Sequence, residues 1–486
     1  MPFSHSALQL HKEFLSKSRS AVDIVSLYLD RINRYDPLLQ SFLSVCPERA
    51  LKKAEELDAK RAQNKPLGKL AGIPIAVKDN INVKGEKTTC GSKILENFTS
   101  PYDATSIELI EEEDGIIIGK TNCDEFAMGS STEHSAYKMT KNPWALSCTP
   151  GGSSGGSGAA VGARLCPIAL GSDTGGSVRQ PGALCGIAAL KPTYGRVSRY
   201  GLVAYGSSLD QIGPMAGTVE DIALMMEVIG RRCEKDSTSV QLGPESYLDA
   251  IKQPISGLKI GIPWQFLEGL KPESRKNFDD AIATLKSLGG TICDVDLSVL
   301  KHSLATYYIL ATAEASTNLA RFDGIRYGLR SKSAKTLDQV YDLSREEGFG
   351  QEVKRRILLG TFVLSAGYQD AYYRKAQKVR ALLISKFTEA FSKCDLIAIP
   401  TVPNPAFELG SITDPIQMYL EDIYTIGANL AGIPAMNVPS GFTADKKPLG
   451  LQLLGPQLSD VKVCQAAYAF QEATQYHKVA IEQFSK

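Results

Sequence analysis

Residues 151–186 hold 11 of the chain's 42 glycines, where the chain average would place about three. Glycine at that density lets the backbone take positive φ and lets chains approach closely. A flexible linker would share the composition. This stretch, however, embeds ordered patterns: residues 159–165 read as a helix and residues 167–170 as a buried strand. Two Gly/Ser turns border those elements, Gly151-Gly-Ser-Ser-Gly-Gly-Ser157 and Gly171-Ser-Asp-Thr-Gly-Gly-Ser177. The segment therefore belongs inside a fold that brings backbones together at tight turns.

The flanking sequence supplies the elements for such a fold. Ile24, Tyr28 and Ile32 recur at helical spacing, and Asp36-Pro37 is expected to end that helix. A second helix is expected over 47–61, with Pro47 in its first turn. The apolar run 73–77 reads as a buried strand with Lys78 at its end. Residues 104–113 read as a helix and 115–118 as a short strand. The polar stretch 231–254 is the best candidate for a long connection. A strand (258–262), a helix (272–288) and a strand (291–295) follow. A long helical region spans 311–393, broken near Ser331, and strands are expected again at 396–399 and 449–453. This order predicts an α/β fold with a mixed, largely parallel sheet covered by helices on both faces. The polar stretch could divide the chain in two. Neither half has a complete strand set, so one large domain over 1–486 is preferred, with a Gly/Ser-rich core at about 71–215.

Composition narrows the function. The 486 residues are 43% hydrophobic and 22% charged, which excludes a disordered or collagen-like chain. Lys plus Arg (54) nearly balances Asp plus Glu (53), so an extensive nucleic-acid-binding surface is not expected. The ten cysteines form no CxxC pair, which disfavours a zinc ribbon or dithiol site. No secretory signal or membrane-length apolar run is evident. A cytoplasmic protein with reduced thiols and no membrane partner is therefore expected.

Several short motifs fail on inspection. Gly115-Ile-Ile-Ile-Gly119-Lys120-Thr121 has one residue too few between its glycines for a phosphate loop, and Asp114 would repel phosphate. Gly151-Gly-Ser153-Ser-Gly155 fits a nucleophile elbow, but neither His302 nor His477 sits in a segment with catalytic character. Ser135-Ala-Tyr-Lys138 matches S-x-x-K at a level near chance. The pair of Gly/Ser turns, with Ser153 and Ser177, survives. Lys78 taken alone is more readily a solvated charge. A desolvated lysine, however, loses affinity for its proton and can serve as the base a serine nucleophile needs.

Three ordered segments carry a resemblance. They are Gly72-Ile-Pro-Ile-Ala-Val-Lys-Asp79, Thr149-Pro-Gly-Gly-Ser-Ser-Gly-Gly-Ser-Gly158 and Gly171-Ser-Asp-Thr-Gly-Gly-Ser-Val-Arg-Gln-Pro181. Together they resemble the amidase signature family. The resemblance implies a Ser–cis-Ser–Lys triad with Ser177 as nucleophile, Ser153 as bridging serine and Lys78 as base. It also implies an oxyanion hole over Thr174, Gly175, Gly176 and Ser177. A cis peptide at Ser153 would cost about 3–4 kcal/mol, and each oxyanion donor would contribute about 3–4 kcal/mol. Gly182 stands where relatives often carry Ala.

Four later segments extend the likeness to the whole chain: Arg321–Gly328, Glu352–Thr361, Tyr372–Arg380 and Asn429–Pro434. They resemble the branch of the family that forms the glutaminase subunits of tRNA-dependent amidotransferases. That branch implies glutamine as substrate, with Arg356 for its carboxylate and Asp422 for its ammonium. Tyr307 or Tyr308 would complete the pocket, and the sequence does not choose between them. The resemblance also implies two partners, a tRNA-binding, activating B subunit with a small C subunit beside it. It places ATP and Mg²⁺ in the complex, used by the partner rather than bound by this chain. Contact with tRNA would be made mainly by the partner. A free-standing amidase on another amide, and a non-catalytic binding protein on the same fold, are the alternatives.

Overall fold

The apolar run before Lys78 is a strand because apolar residues on both of its faces can be covered. Ile75 and Val77 enter one buried cluster, whereas Ala76 enters another. Alternation with period two puts these side chains on opposite faces of a sheet, so each face has its own core. The computed structural model describes residues 6–484. Its strands are β1 (Phe42–Val45), β2 (Pro74–Lys78), β3 (Ile116–Thr121), β4 (Ile168–Asp173), β5 (Ala188–Lys191) and β6 (Gln211–Ala216). They continue with β7 (Lys259–Ile262), β8 (Thr291–Asp294), β9 (Leu396–Pro400), β10 (Ala435–Phe442) and β11 (Pro448–Leu454). All eleven join one sheet in the order β1-β3-β2-β4-β6-β5-β10-β11-β9-β7-β8.

Helices cover both faces. One core takes residues from helices Ala21–Leu39, Pro47–Ala62 and Gly155–Gly162. The other takes residues from Val219–Ile229, Ser303–Asn318 and Asp460–Thr474. The predicted α/β class with a mixed sheet and two helical layers is thus observed. The balance within the sheet differs from expectation. Among the described residues the antiparallel pairings (β1–β3, β4–β6, β5–β6, β5–β10, β10–β11 and β9–β11) outnumber the parallel ones. The strands that carry this excess are those the sequence pattern did not disclose. β1, β5, β6 and β10 are short, or interrupted by Gly or Pro.

Other boundaries shift for local reasons. Helix Ala21–Leu39 continues through Pro37 instead of stopping there. The proline falls in the last turn, where the helix loses little, and Gln40 then closes it in the left-handed region. The Asp36 carboxylate receives the Ser41 amide at 2.7 Å, which turns the chain into β1. The later helical region starts at Ser303 rather than 311. Stretch 231–254 is laid onto the body, with Tyr247 buried and Glu245 paired to Arg196 at 2.7 Å. Strands on either side of it share the sheet through β5–β10.

Candidate active site

Lys78 ends β2 with no exposed surface. Its ammonium donates to Ser153 Oγ at 2.7 Å, Ser154 Oγ at 2.9 Å and Ser172 Oγ at 2.9 Å. All three partners are neutral hydroxyls. Burial therefore lowers its pKa to about 8, against the opposing pull of Cys123, Asp124, Asp173 and Asp210. A second buried lysine, Lys120 on neighbouring β3, shows the contrast: it pairs with Asp79 at 3.0 Å.

Ser153 sits where the turn's glycines allow it. Gly151 and Gly152 take φ of +83° and +57°. A Cβ on Gly152 would lie 3.1 Å from Ser177 Cα, so this glycine lets the two serine turns meet. The Ser154 amide donates to the Ser177 carbonyl at 3.2 Å and locks that meeting. No peptide bond is cis among the described residues, so the expected cis bond at Ser153 is absent. Two successive left-handed glycines reverse the chain without it.

The loop after β4 is held from beneath. Asp173 accepts the Gly176 amide at 2.8 Å and the Val178 amide at 3.2 Å. Burial alone would raise its pKa; paired Arg179 and Asn429 outweigh that and hold it at about 2. Arg179 is itself saturated by Asp173, Asn429, Gln452 and the Thr425 carbonyl. The Gly176 amide is thus engaged inward and not offered to a ligand, unlike the expectation for this residue. Among the described residues nothing accepts the N–H of Gly175 or Ser177. Thr174 is fixed by its hydroxyl, which donates to Asp210 at 2.7 Å.

A charged wall flanks this loop. Asp422 is buried and receives Gln180 Nε2 at 2.6 Å and the Tyr308 hydroxyl at 2.9 Å. Burial lifts its pKa to about 6 despite these donors. Arg356 projects from helix Gln351–Leu364 into an aromatic box of Tyr205, Tyr308 and Tyr419. Its Nε donates to Glu352 at 2.8 Å and its Nη1 to the Tyr205 hydroxyl at 2.7 Å. Tyr419 stacks on Tyr308 with ring centroids 3.9 Å apart, and its hydroxyl donates to Glu352 at 2.8 Å. Tyr308 thus touches both charges. Tyr307 packs edge-on against Tyr308, and its hydroxyl would lie 2.7 Å from a Cβ on Gly175. Both tyrosines therefore belong to the site, one on the charged wall and one on the loop.

A family model for amidases matches residues 23–464. The chain belongs to the amidase family. Within it, the chain is 63% identical over 475 residues to the A subunit of glutamyl-tRNA(Gln) amidotransferase from Protochlamydia amoebophila, covering 98% of this chain and 97% of that one. It is 53% identical to the protein of the same name from Chlamydia pneumoniae, over 100% of this chain and 98% of that one. The crystal structure of the Thermotoga maritima counterpart superposes with a TM-score of 0.78 at 43% identity, covering 93% of this chain and 91% of that one. A bacterial aryl acylamidase shares the fold at 24% identity with a TM-score of 0.86, covering 97% of each chain.

This amidase gathers every residue singled out in the sequence into one region. Lys78 and Ser153 are bonded directly, and Ser177 is reached through the backbone of Ser154. Arg356 and Asp422 meet at Tyr308. Sequence reasoning missed the supporting groups: Ser154, Ser172, Asp173, Arg179, Gln180, Glu352, Tyr419 and Thr425. Ser154, Ser172, Asp173, Arg179, Gln180 and Glu352 lie inside segments that carried the resemblance, whereas Tyr419 and Thr425 lie outside them. Among the described residues no His, Cys, Asp and Glu are grouped to hold a metal ion, and no helix is long and apolar enough to cross a membrane.

Proposed function

We propose that this amidase is the glutaminase component of a glutamyl-tRNA(Gln) amidotransferase, hydrolysing glutamine at Ser177 to supply ammonia. The observation that carries the chemistry is Lys78 Nζ at 2.7 Å from Ser153 Oγ in a fully buried setting. A lysine stripped of water and bonded to three hydroxyls and one carbonyl, with no carboxylate in contact, can be neutral near physiological pH and accept a proton. Ser177 Oγ attacks the carbon of the side-chain amide while its proton passes through Ser153 to Lys78. The N–H groups of Gly175 and Ser177 receive the developing oxyanion. Lys78 returns the proton through Ser153 to the leaving nitrogen. The C–N bond breaks, and ammonia departs from a γ-glutamyl ester on Ser177. Water then cleaves the ester to glutamate by the same route.

The charged wall supports glutamine over other amides. The substrate's α-carboxylate would pair with the free edge of Arg356 and its α-ammonium with Asp422. An aryl or fatty amide would carry neither a carboxylate for Arg356 nor an ammonium for Asp422, so it would gain nothing from either buried charge. The ammonia would pass to a tRNA-binding B subunit that activates the glutamyl-tRNA with ATP and Mg²⁺, with a small C subunit joining the complex in the cytoplasm. The near-zero net charge of this chain fits a component that serves tRNA without gripping it. Ammonia release from glutamine by the purified complex tests the assignment. Ser177→Ala should abolish release while leaving the thermal transition in place, and full activity in that variant would overturn it.

A further inference from the structure

Gln180 occupies a position that the triad and the charged wall do not by themselves explain. It is 2% exposed and lies in the first turn of helix Arg179–Leu184. Its backbone amide donates to the Gly176 carbonyl at 2.8 Å, which fixes it relative to Ser177. Its neighbour Arg179 is bound on every side, so this turn has no freedom to swing. The side chain spans from the nucleophile loop to the charged wall, with Nε2 bonded to Asp422 Oδ1 at 2.6 Å and to the Glu421 carbonyl at 3.0 Å.

The chemistry of those partners settles which end of the amide faces them. A carbonyl only accepts, so the atom beside Glu421 is the NH₂ group. Oε1 is then turned away from both, and no described residue donates to it. Oε1 is not among the fully buried unpaired polar atoms, so it stays open to the site and can accept from a ligand there. Asp422 has its two oxygens engaged separately, Oδ1 by Gln180 and Oδ2 by Tyr308. Ser130 also hydrogen-bonds this carboxylate, so its orientation is set by three side chains, of which Gln180 alone comes from the nucleophile loop's helix.

We infer that Gln180 is the specificity residue for the substrate's α-ammonium, aiming Asp422 and offering Oε1 as a second acceptor. This rests on the glutamine reading and deepens it. An ammonium has three donors, and one carboxylate cannot satisfy all of them in line. Gln180 links their recognition to the loop that ends in Ser177, so that an amide lacking the amine is bound by Arg356 alone.

The test compares ammonia release from glutamine and from 4-carbamoylbutanoate, the same molecule without its amine. The full-length chain in its native complex is used, with wild type, Gln180→Met and Gln180→Asn. The methionine keeps the length without either polar atom, and the asparagine withdraws the amide from Asp422. Both variants should lower kcat/KM for glutamine at least tenfold, chiefly through KM. Turnover of the amine-free substrate should fall less than threefold. Equal losses on both substrates would make Gln180 structural and overturn the inference. An unchanged preference in either folded variant would overturn it too. A wild type indifferent to the amine would overturn the glutamine reading itself, and the inference with it.

Discussion

Thr425 donates its hydroxyl to the Gly175 carbonyl at 2.6 Å. The same hydroxyl reaches the Asp422 carbonyl at 3.0 Å, so one side chain joins the nucleophile loop to the segment that carries the acid of the charged wall. A Cβ on Gly176 would lie 2.2 Å from that oxygen, which is why the loop needs glycine there.

Thr425→Val keeps the shape and removes the bond. It leaves a buried carbonyl unpaired, at about 1–3 kcal/mol, and loosens the amides aimed at the oxyanion. Single-turnover acylation should slow about tenfold, with a smaller change in substrate binding. Unaltered acylation would detach Thr425 from the positioning of the loop.

Lys78 sets the pH dependence of the chemical step. Below its pKa of about 8 it carries a proton and cannot take another. The rate at saturating substrate should therefore rise with pH and reach half its plateau near pH 8, dropping about tenfold per unit well below that. Lys78→Ala should be nearly as damaging as Ser177→Ala. A flat profile between about pH 6.5 and 8.5 would assign the base elsewhere.

The charged wall should answer to pH separately. Asp422 is ionised above about pH 6 and neutral below it. KM for glutamine should rise as pH falls through about 6, because the carboxylate that meets the ammonium is lost. Asp422→Asn should show a high KM without that acid limb. Arg356→Ala should also raise KM more than it lowers kcat, a split read directly from initial rates.

Gly182 leaves no room for a side chain. A Cβ there would lie 2.5 Å from the Ala189 Cβ on β5. Gly182→Ala should destabilise the fold by about 1–3 kcal/mol in denaturant unfolding. Adding Ala189→Gly should restore most of the loss, since it clears the atom that clashes.

The sequence made the site legible where chemistry and turn geometry share the same residues. Lys78 closes an apolar run, and Ser153 and Ser177 sit in glycine turns that only a close approach requires. Arg356 and Asp422 were legible through the family likeness, since beside Lys354, Arg355 and Glu421 they look like surface charges. Their burial depends on Tyr205, Tyr308 and Tyr419 closing around them, which is a tertiary event. The same holds for Arg179. Nothing local shows that its partners would be Thr425, Asn429 and Gln452. The strands β5, β6 and β10 escaped because Gly and Pro interrupt their pattern or because they are short, while the rest of the sheet supplies the context that makes them extend. The geometry of the Ser153 turn was legible in kind but not in detail. Strain was expected in a peptide bond, and two positive-φ glycines provide the reversal instead.

The sheet order carries a consequence for how the enzyme is made. Lys78, Ser153 and Ser177 all leave the ribosome in the first two-fifths of synthesis. Three of the residues that hold Arg179 (Thr425, Asn429 and Gln452) and Asp422 itself emerge only with 422–452, and β5 waits for β10 before it has its second neighbour. A nascent or prematurely ended chain therefore holds the reactive groups without the frame that makes them act together.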